Sequence, residues 1–208
     1  MEAPSVLSPQ VHTAQSILDA AEFLFQRQGY HGTSMRQLAR YAGVTPAAIY
    51  NHFSSKEDIF VALLKLRLPH RALALAVERA QGDSAEALLR DGIRRMRLAM
   101  EDRFDSLRLG FIEILEFEGR HLPLVLPEIL SPAMSFLARL RASDPRLQAW
   151  PPYFLLRVIG GGFAALALSA SYLRDVEEMA GKPEEFDELA AILAAGFLGS
   201  SAAATRAE

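Results

Sequence analysis

Few residues in this 208-residue chain have the types and spacing that catalysis needs. Glu118 and His121 stand three apart, the spacing of one half of a di-iron carboxylate site on a helical bundle. Such a site needs further ligands and a second Glu-x-x-His, and the sequence has none. Gly119 and Pro123 also place the pair at a helix end. Glu113, Glu116 and Glu118 read as a solvated helix face rather than an acid/base pair. Gly160-Gly161-Gly162 lies inside a helical pattern and lacks the Lys-Ser or Lys-Thr ending of a phosphate loop. The absence of cysteine excludes disulfides, thiolate zinc, iron–sulfur clusters and a cysteine nucleophile. No cofactor is implied, and the enzyme alternative reduces to a helical metal-binding protein using Glu118 and His121.

A second set of residues suits recognition. Thr45, Pro46, Ala47, Ala48, Tyr50, Asn51 and His52 form a short run of small and hydrogen-bonding side chains that the major groove of DNA can admit. Leu38, Ala39, Ala42, Val44, Ile49 and Phe53 supply the apolar seam behind them, with small Ala39 at a close helix crossing.

The elements that must hold this run are helical, because apolar residues recur at helical spacing nearly throughout and no hairpin-flanked alternation occurs. The fold class is all-α. Ser8-Pro9 caps a first helix over 9–28, and Gly29 stops it. Ser34 and Gln37 have capping-box spacing for a second helix to Ala42; Gly43 permits a reversal; Thr45-Pro46 starts a third helix to Phe53. Ser54 and Ser55 each stand three before an acid, Glu57 and Asp58, so a fourth helix begins there. Two short helices joined by a glycine turn, behind a longer one, make a helix-turn-helix over 34–53. Longer amphipathic segments follow at 70–81, 84–104, 106–119, 124–142, 151–180 and 184–200. The division expected is a head at 9–68 and a body at 69–208, with net charge +1 for residues 1–68 and −4 for the rest.

Several of these residues also resemble a known family. Ile17-Leu18-Asp19-Ala20-Ala21, Leu24-Phe25, Gly29-Tyr30, Thr33-Ser34, Leu38-Ala39, Ala42-Gly43-Val44 and Tyr50-x-His52-Phe53-x-x-Lys56 are similar to the tetracycline-repressor (TetR) family over about residues 12–66. The resemblance implies a homodimeric, ligand-responsive transcription regulator, most simply a cytoplasmic repressor released from a palindromic operator by a small molecule of unknown identity. By position it assigns phosphate contacts to Thr33, Ser34, Arg36, Tyr41, Tyr50, His52 and Lys56, and base reading to Thr45, Pro46, Ala47 and Asn51. One departure is the start of helix one, Val11-His12-Thr13-Ala14-Gln15-Ser16, where family members commonly carry arginine or lysine. Fewer neutralised phosphates mean a shallow salt dependence.

In the body, Met96, Met100, Phe104, Phe111, Ile112, Phe117 and Phe136 are expected to line an apolar effector cavity, with Arg97, Glu113, His121 and Tyr153 as polar anchors. Gly161, Ala165 and Ser169 recur every four residues, and Leu189, Ile192, Leu193 and Phe197 form an apolar stripe. The resemblance places the dimer seam on these two helices, as a four-helix bundle. The uncharged runs 158–173 and 189–205 fall short of the roughly 20 apolar residues that cross a bilayer, and residues 1–9 lack the pattern of a secretory signal. No membrane partner is expected. Half the residues are hydrophobic and 23% are charged, the balance of a chain that buries a core.

Overall fold

The computed structural model describes residues 9–101, 103, 106–172 and 182–199. Among them run α1 (Pro9–Gln28), α2 (Met35–Ala42), α3 (Pro46–Tyr50), α4 (Lys56–Arg67), α5 (His70–Glu78), α6 (Ala85–Met100), α7 (Leu107–Phe117), α8 (Leu126–Ser143), α9 (Pro152–Tyr172) and α10 (Pro183–Gly199). Short 3-10 turns occupy Leu122–Leu124 and Pro145–Ala149, and the described residues contain no strand. The expected cap Ser8 lies outside the described residues, as do Phe104, residues 173–180 and residue 200, where the sequence pattern extends three helices.

Local chemistry accounts for the start of each short helix. The Ser34 hydroxyl accepts from Gln37 N–H at 3.3 Å while the Gln37 amide oxygen accepts from Ser34 N–H at 2.8 Å, so the capping box closes in both directions. Gly43 adopts φ 69°, and its amide and that of Val44 return to the last carbonyls of α2. Thr45 caps α3 by accepting from Ala48 N–H at 3.1 Å. Of the two candidate serines, Ser55 caps α4, accepting from Asp58 N–H at 3.0 Å.

Three helices end earlier than their sequence pattern. α3 stops at Tyr50 rather than Phe53, because the chain must become extended at Ser55 (φ −151°) to cap α4; the amides of His52 and Phe53 both still reach the Ile49 carbonyl at 2.9 Å. α5 stops at Glu78 rather than 81. There Arg139 of α8 donates to the carbonyls of Glu78 and Ala80, and the Asp91 carboxylate accepts from Gln81 N–H at 2.8 Å. α7 stops at Phe117 rather than 119, since Glu118 (φ 54°) and Gly119 (φ 77°) are both left-handed and the Gly119 amide returns to the Glu113 carbonyl at 3.0 Å.

The chain forms two compact units. The first joins residues up to Leu68 with Arg108–Leu124; the second joins Pro69–Leu107 with the remainder from Val125. This differs from a division at residue 68 alone, and the reason is apolar. Leu109, Ile112 and Phe117 of α7 enter the core that Ile17, Phe25, Leu38, Ile49, Phe60 and Leu63 build from α1 to α4. Phe117 stacks on Phe60 with ring centroids 4.7 Å apart and meets Tyr30 at 4.5 Å. The second unit packs α5, α6, α8, α9 and α10 around Leu89, Ile93, Phe136, Leu155, Phe163 and Phe197.

The Gly43 turn offers a test free of packing effects, because a Cβ there would meet no atom within 4 Å. Gly43→Ala should therefore cost only the left-handed backbone penalty, about 1–2 kcal/mol. Denaturant unfolding followed by circular dichroism measures it, and unchanged stability would contradict a turn held at positive φ.

Candidate nucleic-acid interface

α3 is anchored by one side chain and displays the rest. Ile49 has no exposed surface, whereas Thr45, Pro46, Ala47 and Asn51 are exposed and Tyr50 is 57% exposed. Ala48 and His52 are partly buried. The seven recognition candidates thus lie on one short helix and its exit, with Ile49 against the core and a solvent-facing surface of mostly uncharged groups.

The flanking candidates divide into free and committed side chains. Ser34 is exposed at the cap of α2, and Arg36 is exposed in its first turn. Tyr41, 54% exposed, stacks on Phe23 of α1 with centroids 4.7 Å apart, and the Arg27 guanidinium lies 5.7 Å from that Phe23 ring. Thr33 is only 2% exposed; its hydroxyl donates to the Gly29 carbonyl at 2.8 Å and accepts from Gln28. Its side chain ties the α1–α2 turn together instead of facing a phosphate. The Lys56 ammonium donates to the carbonyls of Tyr30 at 2.7 Å and Thr33 at 2.6 Å, and sits 4.1 Å from the Tyr30 ring centroid. Burial pushes its pKa below the ordinary lysine value, against the raising effect of Glu116. Two of its three donors are spent inside the chain.

Residues to which the sequence assigns other roles complete this frame. The Glu116 carboxylate accepts from Tyr30 N–H at 3.0 Å and His31 N–H at 2.9 Å, fixing the same turn from the side of α7. Glu113 has no exposed surface and binds His121, whose other ring nitrogen meets Glu57 at 3.0 Å. The three glutamates are therefore not one solvated face: Glu113 is sealed, Glu116 is 22% exposed at its side chain, and Glu118 is exposed.

The match to known proteins falls on this same region. Residues 17–63 fit the family model described as bacterial regulatory proteins, tetR family. An uncharacterized HTH-type transcriptional regulator, YvkB of Bacillus subtilis (strain 168), is 32% identical over 106 residues, 51% of this chain and 54% of that one. The HTH-type transcriptional repressor BepR of Brucella suis biovar 1 is 29% identical over 140 residues, 64% of this chain and 67% of its own. The chain thus spans about half the length of YvkB and two thirds of BepR. A TetR-like transcriptional regulator from Rhodococcus sp. RHA1 shares the fold, with TM-score 0.67 at 19% identity over 94% of this chain and all of that one. Over residues 17–63 the chain is similar to the tetR family, and it shares the fold of the Rhodococcus regulator.

The effector candidates do not converge on one place. Met96, Met100 and Phe136 share the core of the second unit, and Arg97 pairs with Glu101 at 3.7 Å. Glu113 and Phe117 belong to the first unit's core, where the Glu113 carboxylate is occupied by His121. Phe111 is 38% exposed, Tyr153 is 62% exposed, and Phe104 lies outside the described residues. Of the dimer candidates, Gly161, Ala165 and Ile192 are exposed and Ser169 and Leu189 are partly buried. Leu193 and Phe197 turn inward with Phe186, Ala190 and Ala194, because the stripe on α10 fills the unit's own core.

Lys56 and Tyr50 separate the buried frame from the exposed surface of α3. Lys56→Met should lower the unfolding free energy by about 1.5–3 kcal/mol, the worth of hydrogen bonds from a charged group. Tyr50→Ala, at an exposed ring, should stay within about 0.5 kcal/mol of the parent. Equal melting temperatures for the two variants would remove Lys56 from the frame.

Proposed function

We propose that the protein is a homodimeric, ligand-responsive transcription repressor that acts in the cytoplasm and binds a palindromic operator through two copies of α3. The observation that carries this reading is the division within α3: Ile49 alone is sealed into the core, and its neighbours Thr45, Pro46, Ala47, Tyr50 and Asn51 face solvent on a capped helix. Pro46 and Ala47 suit thymine methyl groups, and Asn51 suits a hydrogen bond to a base edge. Ser34, Arg36, Tyr41, Tyr50 and His52 flank them as phosphate contacts.

A dimer is supported by an apolar surface that one chain leaves open. Residues Pro152–Ala170 of α9 have a mean hydropathy of 1.6, enough by length and composition to cross a bilayer, yet only 22% of that window is buried. Exposed Gly161 and Ala165 permit close helix approach, and Ile192, 67% exposed on α10, adds an apolar side chain. A partner helix pair covering this face accounts for its hydropathy without a membrane. Two α3 helices would then enter successive grooves about 34 Å apart, and an effector favouring another separation would release the duplex. The metal-binding alternative has no comparable support: Glu118 is exposed, and both ring nitrogens of His121 are engaged by Glu113 and Glu57.

Selection of duplexes from a random pool, followed by gel retardation, tests the reading; recovery of a palindrome is expected, and recovery of no preferred sequence would refute it. Asn51→Ala should cost about 1–3 kcal/mol and relax preference at one base pair, while Tyr50→Ala should weaken all duplexes alike. Ala165→Glu should yield monomers in sedimentation. A dimer that persists at low concentration would place the seam elsewhere.

A further inference from the structure

His121 sits where two carboxylates converge. Its Nδ1 lies 2.8 Å from Glu113 Oε2, its Nε2 lies 3.0 Å from Glu57 Oε1, and its backbone N–H donates to Glu113 Oε1 at 2.6 Å. Ionised carboxylates only accept hydrogen bonds, so a ring with one at each nitrogen must donate from both, which makes it an imidazolium. The ring is 8% exposed and Glu113 is fully buried. Neither charge is solvated well enough to stand without the other.

The contact joins segments that matter for α3. Glu57 stands in the first turn of α4, shortly after the exit of α3, and neighbouring Lys56 grips the carbonyls of Tyr30 and Thr33. Glu116, on the same helix as Glu113, holds the amides of Tyr30 and His31. A closed circuit therefore runs from α7 to the α1–α2 turn, to the start of α4, and back through His121.

We infer that His121, gripped as an imidazolium between Glu113 and Glu57, is a positioning residue for DNA binding: it locks the start of α4, and so the exit of α3, onto segment 113–121 and lets go when the ring loses its proton. The inference rests on the DNA-binding reading above. Charged and apolar groups surround the ring from several segments. From α4 come Glu57, with Lys56 and Asp58 beside it; from α7 come Glu113 and Glu116; Arg120 lies 3.5 Å from the Glu57 oxygen that the ring also meets; Tyr30 and His31 lie on the turn beyond, and Phe60 and Phe117 wall the ring with apolar surface. Burial lowers the imidazole pKa, but hydrogen bonds to Glu113 and Glu57 and their charges outweigh it, leaving the ring above its ordinary value. A raised histidine stabilises fully below its unfolded pKa, and that stabilisation is lost as pH rises through the folded one.

The test uses the full chain, a duplex selected with it from a random pool, and ring-nitrogen NMR. Affinity should fall by about fivefold, the lower end of ordinary coupling between linked sites, as pH rises across the imidazole range. Glu113→Gln keeps an acceptor and removes the charge; it should lower the pH at which His121 titrates and flatten the affinity profile. Other histidines contribute equally to parent and variant, so the difference belongs to His121. A neutral ring in the parent at acid pH, or an unaltered affinity profile in folded Glu113→Gln, would overturn the inference. Should Glu113→Gln fail to fold, Glu57→Gln at the half-exposed end takes its place, and an unshifted His121 titration there is likewise fatal. Recovery of no duplex would refute the DNA reading and the positioning role together, whereas a bound duplex with an ordinary ring titration refutes the latch alone.

Discussion

A carboxylate with no exposed surface sets the geometry of the N-terminal unit. Glu113 must be met by donors or it costs several kcal/mol, and the donors come from His121, which cannot reach back unless the chain reverses just past the end of α7. The two consecutive left-handed residues, Glu118 and Gly119, make that reversal. Once it is made, Ile112, Glu113, Glu116 and Phe117 all stand on the side of α7 that faces the first four helices, so apolar burial and polar capping pull in the same direction. The helix-turn-helix is thereby completed by a segment far downstream in sequence, so that among the described residues α7 joins α1 to α4 in place of a head ending at residue 68.

That frame explains why so short a helix as α3 can be a reading surface. Five residues cannot sustain a helix in water, since nucleation outweighs the few hydrogen bonds gained. α3 persists because Thr45 caps it, Ile49 anchors it and the chain on either side is pinned. Pinning consumes side chains: Thr33 and Lys56, which by sequence position resemble phosphate ligands, spend their polar atoms on carbonyls of the α1–α2 turn. Ser34 and Thr45 stay exposed while capping α2 and α3, so a cap and an outward surface can share one side chain.

The local rules of helix starts and stops were legible in the sequence because they depend on residues a few positions apart. Ser34 with Gln37, Gly43, Thr45 with Pro46, and the serine before Glu57 and Asp58 each carry their own explanation. So did the identity of α3, through the alternation of one sealed residue with exposed neighbours. What was not legible lay across sequence distance. Glu113 and Glu116 look like surface acids until Tyr30, His31 and His121 are brought to them, and the spacing that drew notice, Glu118 with His121, is the wrong glutamate by one turn and more. The apolar residues of α7 carried the same ambiguity, since a cavity wall and a packed core use the same side chains. Likewise the stripe on α10 had two apolar edges, and only packing tells Leu193 and Phe197, facing inward, from Ile192, facing out.

Charge bears on the proposed reading in a second way. Residues 1–68 carry a net charge of only +1, and α1 offers no permanent positive charge before Arg27. With Lys56 largely committed, one head has few cations with which to displace counterions, so under the proposed reading a single α3 would hold duplex weakly. Joining two such heads makes the second contact intramolecular, and affinity is multiplied by effective concentration without any new contact. A reader built this way depends on its dimer more than a strongly basic one would. The open apolar face of α9 is accordingly part of the proposed DNA-binding apparatus, because how two chains are joined there would set whether both α3 helices engage one duplex.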